Sequence, residues 1–367
     1  MIRVLQVVNA ADRGGSETLA MNIYRNIDRS KIQFDFTNHK GIPAAYDEEI
    51  ETLGGRIHYL PKFKGFNYFQ YVVAWRELFK EHPEYQIIHI HNYNIAGIVS
   101  KVAKEMGIPV RITHSHSTRL NMPLIKRIVF KCFYGSMMRN TSHFFSCGKN
   151  AANFLFGINH PYTLIPNAID VEKFKYDDLK RIKIRNELFI SDDNIVYGHV
   201  GSFRTPKNHI FLIDIFSEIV KRNNKARLIL VGGGDLQDSI RTKVDKLGLK
   251  DKVIFAGLQN NVNDWLSAFD FFLMPSLWEG FPVSVVEAQC AGLPCVISDV
   301  IDKDADITGK VSFISLKQPD TIWADKILDI QSGNRMEMGR IVQDSSFNID
   351  KLSGWISDFY LKNISVK

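Results

Sequence analysis

The feature that most restricts how this chain can fold is an alternation that runs through it twice. Short runs of aliphatic and aromatic residues alternate with segments of helical period, and the pattern restarts at Asn194. In the first half, strands are expected at Arg3–Val8, Ile32–Thr37, Ile87–His91, Val110–Ser115 and His143–Cys147, with helices between them such as Ser16–Asn26 and Ile95–Met106. In the second half they are expected at Ile195–Val200, Arg227–Val231, Val253–Ala256, Phe271–Pro275 and Pro294–Ser298. These are separated by helices at His209–Arg222, Leu236–Leu247, Val262–Ala268 and Pro282–Ala291. Strands that are apolar throughout need cover on both faces, and strands separated by helices pair in parallel. The expected fold is α/β, with doubly wound domains over residues 1–170 and 171–349, hinged around Pro166–Phe174. Ligands of such sheets bind beyond the carboxyl ends of the strands, so the loops that follow strands are the places to search.

The bulk composition is compatible with this reading. A chain of 367 residues, 45% hydrophobic and 23% charged, accommodates two domains of ~100–200 residues. No run approaches the ~20 apolar residues of a membrane helix. The first strand begins almost at once, which leaves no space for a signal peptide and makes a cytoplasmic location the expectation. Cys132, Cys147, Cys290 and Cys295 have no metal-ligand spacing and are expected to be reduced core thiols. Charge is uneven. Residues 1–170 hold 20 Lys and Arg against 13 Asp and Glu, and Gly107–Lys149 contains no acid. A basic first half suits nucleic acid, an anionic membrane surface or a phosphorylated small molecule, and composition does not choose among them.

Several loops after strands carry suggestive residues. Asp12-Arg13-Gly14-Gly15-Ser16-Glu17 leads from the first strand into a helix, where glycines let backbone N–H groups approach an anion. The spacing is not the dinucleotide fingerprint. Gly232-Gly233-Gly234 reads as a strand-to-helix turn. His89/His91 and His114/His116 each place two imidazoles on one strand face. No carboxylate lies near them in sequence, so polar residues at strand mouths, facing a cleft, are preferred to a metal centre. The acids of 302–306 lack the glycine and distal glutamate of a calcium loop and read as solvated. Arg204 and Lys207 lie on the loop after Val200, where a planar fork and a point charge together suit a diphosphate.

Trp278–Asp299 poses the sharpest question. The helix that begins near Pro282 is apolar on nearly every side, yet it carries Glu287, and Glu279 stands just before its first turn. Its N-terminus offers N–H groups to an anion, and side chains lean towards that end. Carboxylates beside a diphosphate must bind something else, and vicinal hydroxyls are the natural partners. A diphosphate flanked by two diols describes a nucleotide sugar.

With these residues in place, the sequence resembles glycosyltransferase family 4, a retaining group of the GT-B fold, in which two Rossmann-like domains face a cleft. The stretch PSLWEGFPVSVVEAQCAGLPCV is similar to the family's P-S-x-x-E-G-F-x5-E-A-x-A-x-G-x-P-V. Pro166-Asn167-Ala168-Ile169-Asp170 to Phe174 is similar to its P-N-x-x-D-x-x-x-F, and Gly14 and Gly15 match its N-terminal glycine loop. The resemblance implies that residues 1–170 bind the acceptor and 171–349 the nucleotide sugar, with the last helix (350–367) packing back on the first domain. It implies that Glu279 contacts the transferred sugar, Glu287 the ribose, and Gly280, Phe281 and Pro282 the sugar and phosphates. His114, with His116 as its rival, would stand near the sugar, with Asn167 at the cleft. Relatives carry V-G-R where this chain has Val200-Gly201-Ser202, so Arg204 is expected to replace the arginine, beside Lys207. The implied reaction is transfer from a nucleotide sugar, with UDP as the expected nucleotide, to a saccharide acceptor in capsule or exopolysaccharide assembly. The acceptor is expected to be lipid-linked, on an anionic membrane approached through Pro61–Phe66 and Leu124–Lys131. No metal, no other cofactor and no nucleic-acid partner is expected. A non-hydrolysing sugar-nucleotide epimerase of the same fold, and a metal-dependent hydrolase using the H-x-H pairs, are the alternatives.

Overall fold

Two all-parallel sheets organise the chain. The computed structural model describes residues 1–12, 14–118, 124–331 and 333–364, and of residues 124–126 the backbone alone. The chain divides into one unit of Met1–Ala168 with Ile349–Lys367 and a second of Ile169–Asn348.

The first unit runs β1 (Ile2–Val7), α1 (Gly15–Asn26), β2 (Ile32–Asn38), α2 (Asp47–Thr52), β3 (Ile57–Tyr59), α3 (Tyr68–Glu81), β4 (Tyr85–Ile90), α4 (Tyr93–Glu105), β5 (Val110–Ser115), α5 (Leu124–Asn140), β6 (His143–Ser146), α6 (Lys149–Phe156) and β7 (Thr163–Leu164). Its strand order is β3-β2-β1-β4-β5-β6-β7. Alternate residues of β1 enter opposite cores. Val4 packs with Leu19, Ile23 and Tyr24 of α1, while Leu5 and Val7 pack with Trp75, Ile98 and Val102 of α3 and α4.

The second unit runs α7 (Val171–Phe174), α8 (Asp178–Glu187), β8 (Ile195–Val200), α9 (His209–Arg222), β9 (Ala226–Val231), α10 (Gln237–Lys246), β10 (Val253–Gly257), α11 (Val262–Ala268), β11 (Phe271–Met274), α12 (Val283–Cys290), β12 (Cys295–Ser298), β13 (Val311–Ile314), α13 (Asp320–Leu328) and α14 (Arg335–Asp344). Its order is β10-β9-β8-β11-β12-β13. The last helix, α15 (Ile349–Lys362), belongs to the first unit, where Ile349, Leu352, Ile356 and Tyr360 join the core on the α1 face.

The strand order reverses between β1 and β4 in one sheet and between β8 and β11 in the other. At such a switch point the two flanking loops diverge and leave a crevice. Gly14 and Gly15 follow β1 and His91 follows β4, while Gly201–Lys207 follow β8 and Glu279 follows β11. Gly14, Gly15, Lys207 and Glu279 thus lie at the switch points of their own units, whereas His114 and His116 lie at the end of β5 and Asn167 follows the edge strand β7.

All ten expected strands form, to within two residues at either end. The three not anticipated, β3, β7 and β13, are sheet-edge strands of three, two and four residues, too short to show a period. Three of the cysteines are buried as expected, but Cys132 is exposed. It lies on α5 beside the exposed Lys131. The acids of 302–306 form a 3₁₀ turn at Lys303–Ala305 in which the Asp302 side chain accepts from the Asp304 N–H.

Helix α4 meets α5 closely at Gly97, where an added Cβ would lie 2.2 Å from the backbone oxygen of Phe133. Gly354, in contrast, is exposed in α15 with no neighbour within 4 Å of its added Cβ. Gly97→Ala should therefore cost about 1–3 kcal/mol by overpacking, whereas Gly354→Ala should gain about 0.5–1 kcal/mol through helix propensity. Urea unfolding of the two variants would show opposite shifts in midpoint.

Candidate active site

In the second unit, the loop after β8 and the loop after β11 are fastened together. The Leu277 N–H donates to the Pro206 carbonyl (2.8 Å), and Asn208 Nδ2 donates to the Pro275 carbonyl (3.0 Å). Asn208 holds φ +54°, a left-handed conformation that Asn tolerates better than most residues. The fastening brings Lys207 Nζ to 2.9 Å from Glu279 Oε1, with side-chain exposures of 18% and 12%. The glycine triplet supports this loop from behind. A Cβ on Gly232 (φ +140°) would lie 2.0 Å from the Gly201 carbonyl oxygen, and one on Gly234 (φ +153°) 2.7 Å from that of Phe203. Phe203 is wholly buried. Arg204, on the same loop, is exposed, and its guanidinium has no hydrogen-bond partner among the described residues.

Helix α12 begins at Val283, with Pro282 as its N-cap residue, one position earlier in the helix signal than the sequence suggested. No side chain caps this end; the Val285 N–H donates to the Pro282 carbonyl (3.0 Å), and the N–H groups ahead of it remain available. Gly280 is partly exposed, and Phe281 is buried and stacks on Phe347 at 5.4 Å between centroids. The helix carries two polar residues with opposite fates. Gln289 is buried and fully engaged, donating to the Val285 and Ala305 carbonyls and accepting from the N–H groups of Ile307 and Thr308. Glu287 is half-buried, and its carboxylate makes no hydrogen bond or ion pair among the described residues. Burial pushes its pKa up to about 7, opposed by the positive charge of Lys173. Lys173 sits on α7, within the segment that follows Asn167, and was not singled out in the sequence.

In the first unit, Gly14 is the N-cap residue of α1 with extended backbone (φ −87°), and Gly15 opens the helix, exposed, with nothing within 4 Å of an added Cβ. Neither glycine is required by a positive φ; what they supply is open access to the helix end. Arg13 lies outside the described residues. Glu17 is turned back onto this end, accepting from Ser16 Oγ at 2.7 Å, and its pKa is raised, chiefly by burial. A polar cavity of about 410 Å³ opens here, lined by Asn9, Ser16, Glu17, Lys62, His91 and Asn94. It adjoins a second, more apolar one of about 160 Å³ walled by Phe63, Tyr71, Ile95 and Val129. Asn167 is buried, and its Oδ1 has no partner among the described residues.

The histidine pairs are placed differently from the expectation that all four line strand mouths. His89 and His114 lie inside β4 and β5 and are buried to 1% and 0%; only His116 is partly exposed. The four form two hydrogen-bonded chains. His89 joins the Tyr360 hydroxyl (2.7 Å) to His114 (3.1 Å), and His91 joins Gln6 Oε1 (2.9 Å) to His116 (2.9 Å). Burial holds every one of them neutral, with His89 and His116 pushed down to about 3. Nitrogens of His89, His91 and His114 lie within 4.8 Å of one another. The His89 and His91 rings are stacked, however (4.3 Å, 20°), and ring nitrogens point in the ring plane, so the geometry is that of a hydrogen-bond network. Gln6 and Tyr360 were not anticipated as members. A single polar residue inside the apolar run Ile2–Val8 was the available signal for Gln6; Tyr360 had none.

The fold and its likeness to known proteins show a glycosyltransferase. Residues 13–173 match the family described as Glycosyltransferase Family 4, and residues 180–310 match Glycosyl transferases group 1. The chain is 36% identical over 340 residues to the Bacillus subtilis (strain 168) protein named for a glycosyltransferase, EpsF, covering 91% of this chain and 88% of that one. It is 27% identical over 305 residues to the UDP-Gal:alpha-D-GlcNAc-diphosphoundecaprenol alpha-1,3-galactosyltransferase of Escherichia coli, covering 76% of each. Among solved structures, Anabaena Alr3699/HepE in complex with UDP shares the fold at a TM-score of 0.81, with 16% identity and 99% and 100% of the two chains covered. The chain belongs to glycosyltransferase family 4.

The raised pKa of Glu287 has a consequence for stability. Its folded-state value, about 7, lies above its ordinary 4.5. Between those values the folded chain retains a proton that the unfolded chain has released, so stability falls as pH rises through that window and levels off above it. Glu287→Gln should melt higher than the wild type at pH 8 and match it at pH 4.5. Equal melting differences at both pH values would contradict the assignment.

Proposed function

We propose that this glycosyltransferase moves a sugar from a UDP-sugar, with retention at the anomeric carbon, to a lipid-diphosphate-linked saccharide during bacterial surface polysaccharide synthesis. The observation that carries the donor assignment is the joining of Lys207 and Glu279 at 2.9 Å beside the uncapped end of the helix that bears Glu287. In this reading the diphosphate lies on the first-turn N–H groups of α12, near Gly280, Phe281 and Pro282, with Lys207 meeting the negative charge that grows on the leaving group. Glu287 accepts from the ribose hydroxyls and Glu279 from those of the sugar. Arg204 is a second cation at the rim of the site rather than a built member, since it is exposed while Lys207 is not. Gly14 and Gly15, at the first unit's own helix end, are kept as a proposed anion contact of that unit. His116 is preferred to His114 as the histidine that meets substrate, because His114 is wholly buried. UDP as the nucleotide is supported by the Anabaena complexes with UDP and UDP-glucose.

The acceptor saccharide is assigned to the polar cavity of the first unit, where amide, hydroxyl, carboxyl and ammonium groups suit sugar hydroxyls, and Asn167 is kept as a further contact. The E. coli relative's name supplies the diphospholipid acceptor class. Exposed apolar residues support a membrane surface next to that cavity. Phe66 is 86% and Phe69 81% exposed, near the exposed Lys62 and Lys64, and Ile128 is exposed between Arg127 and Lys131 of α5. The side chains of Leu124, Ile125 and Lys126 lie outside the described residues. No helix among the described residues is long and apolar enough to cross a membrane, so a peripheral site on the cytoplasmic face is the proposed location.

Glu287→Ala should weaken UDP binding, read by calorimetry, and Lys207→Ala should lower the rate of sugar transfer by about 10²–10³-fold; unchanged UDP affinity in the first variant would remove the donor assignment. Phe66→Ser with Phe69→Ser should reduce sedimentation with vesicles containing anionic lipid. Equal sedimentation of wild type and variant would leave the membrane part without support.

A further inference from the structure

Gln6 occupies an unusual place. It is 1% exposed on β1, a central strand otherwise built of Ile, Val, Leu and Arg, and its backbone is in register with His89 of β4. A buried amide there is costly unless it is hydrogen-bonded. Its Oε1 lies 2.9 Å from His91 Nε2, and His91 Nδ1 lies 2.9 Å from His116 Nε2. The direction of this chain follows from one end. An amide oxygen only accepts, so His91 carries its proton on Nε2 and presents a bare Nδ1. That nitrogen can only accept, so the His116 proton is on Nε2. His116 Nδ1 is then left as a bare acceptor that is itself withdrawn from solvent and has no partner among the described residues, so only a donor that enters the site can satisfy it. The parallel chain through His89 and His114 starts from the Tyr360 hydroxyl, which both donates and accepts, so its direction is not imposed in the same way.

We propose that Gln6, acting through His91, is a positioning residue that fixes the tautomer of His116, so that His116 presents Nδ1 to accept a hydrogen bond from a substrate hydroxyl. The proposal rests on the assignment of His116 to the substrate given above, but the tautomer itself is independent of any substrate. Neutral imidazole in water exchanges between two tautomers, and only one has the lone pair where the hydroxyl needs it. A residue on β1 thereby sets, across β4, the hydrogen-bonding character of a group at the mouth of β5, as outer partners do for other histidine sites.

The test uses full-length protein labelled with [15N]histidine at pH 7, with the His116 signals identified by their loss in His116→Gln. In the wild type, long-range proton–nitrogen correlations should show Nε2 protonated and Nδ1 bare. Gln6→Leu should mix the two patterns at His116, while Gln6→Glu, which keeps an accepting oxygen, should restore the wild-type pattern. With UDP-sugar and acceptor, Gln6→Leu should lower kcat about tenfold, the factor for roughly one lost hydrogen bond, with the KM for the donor unaltered, and Gln6→Glu should recover most of it. A wild-type His116 protonated on Nδ1, or a Gln6→Leu protein whose His116 pattern is unchanged, would overturn the proposal even if that variant is too unstable for kinetics. A shifted tautomer with unchanged kcat would instead overturn the assignment of His116 to the substrate.

Discussion

One backbone hydrogen bond, from the Leu277 N–H to the Pro206 carbonyl, decides the form of the second unit's site. It joins the loops that follow β8 and β11 where the strand order reverses, the point at which they would otherwise diverge. With Asn208 reaching Pro275 beside it, the bond carries Lys207 to Glu279 across 72 residues of sequence. The pair forms with both side chains largely withdrawn from water. Such a pair repays its desolvation only when its geometry is held by other contacts, and here two loops and a glycine triplet hold it. The proposed chemistry depends on this arrangement, because a lysine free to wander would be a surface charge and not a fixed counter-ion.

Desolvation is used in opposite ways in the two units. At α12 it raises the cost of ionising Glu287, which has no hydrogen-bonding partner among the described residues. A carboxylate in that condition gains from hydroxyl donors, so a diol would be bound most strongly where the protein itself supplies none. In the first unit, burial keeps four histidines neutral. Neutral imidazoles relay hydrogen bonds with a definite direction, which charged ones cannot do, since both nitrogens then donate. The same physical term thus prepares an acceptor for hydroxyls in each unit, by a carboxyl group in one and by an oriented ring in the other.

Much of this was legible in the sequence, for physical reasons. Strands buried on both faces are near-continuous apolar runs, so the nine interior strands and the five-residue edge strand β10 could be read directly, whereas shorter edge strands such as Thr163–Leu164 leave too short a trace. Glu287 was conspicuous because it interrupts an apolar helix, and Glu279 because of its place before that helix. Gln289 interrupts the same helix, yet its purpose is internal, and only coordinates separate the two. Lys173 could not be found by pattern, since its proximity to Glu287 depends on how α7 packs on α12. Likewise the H-x-H spacing placed both pairs on one face of a strand but could not tell that His89 and His114 point into the core. Tyr360 arrives from a helix 271 residues away in sequence from His89, a separation at which periodicity carries no information.

The most direct measurement is amide hydrogen exchange followed by mass spectrometry, with and without UDP. The account predicts that UDP slows exchange in peptides covering residues 201–207 and 279–287, and that Glu287→Ala reduces this protection. Protection confined to the first unit, or none at the α12 N-terminus at saturating UDP, would contradict the claim that this helix end and its glutamates hold the donor.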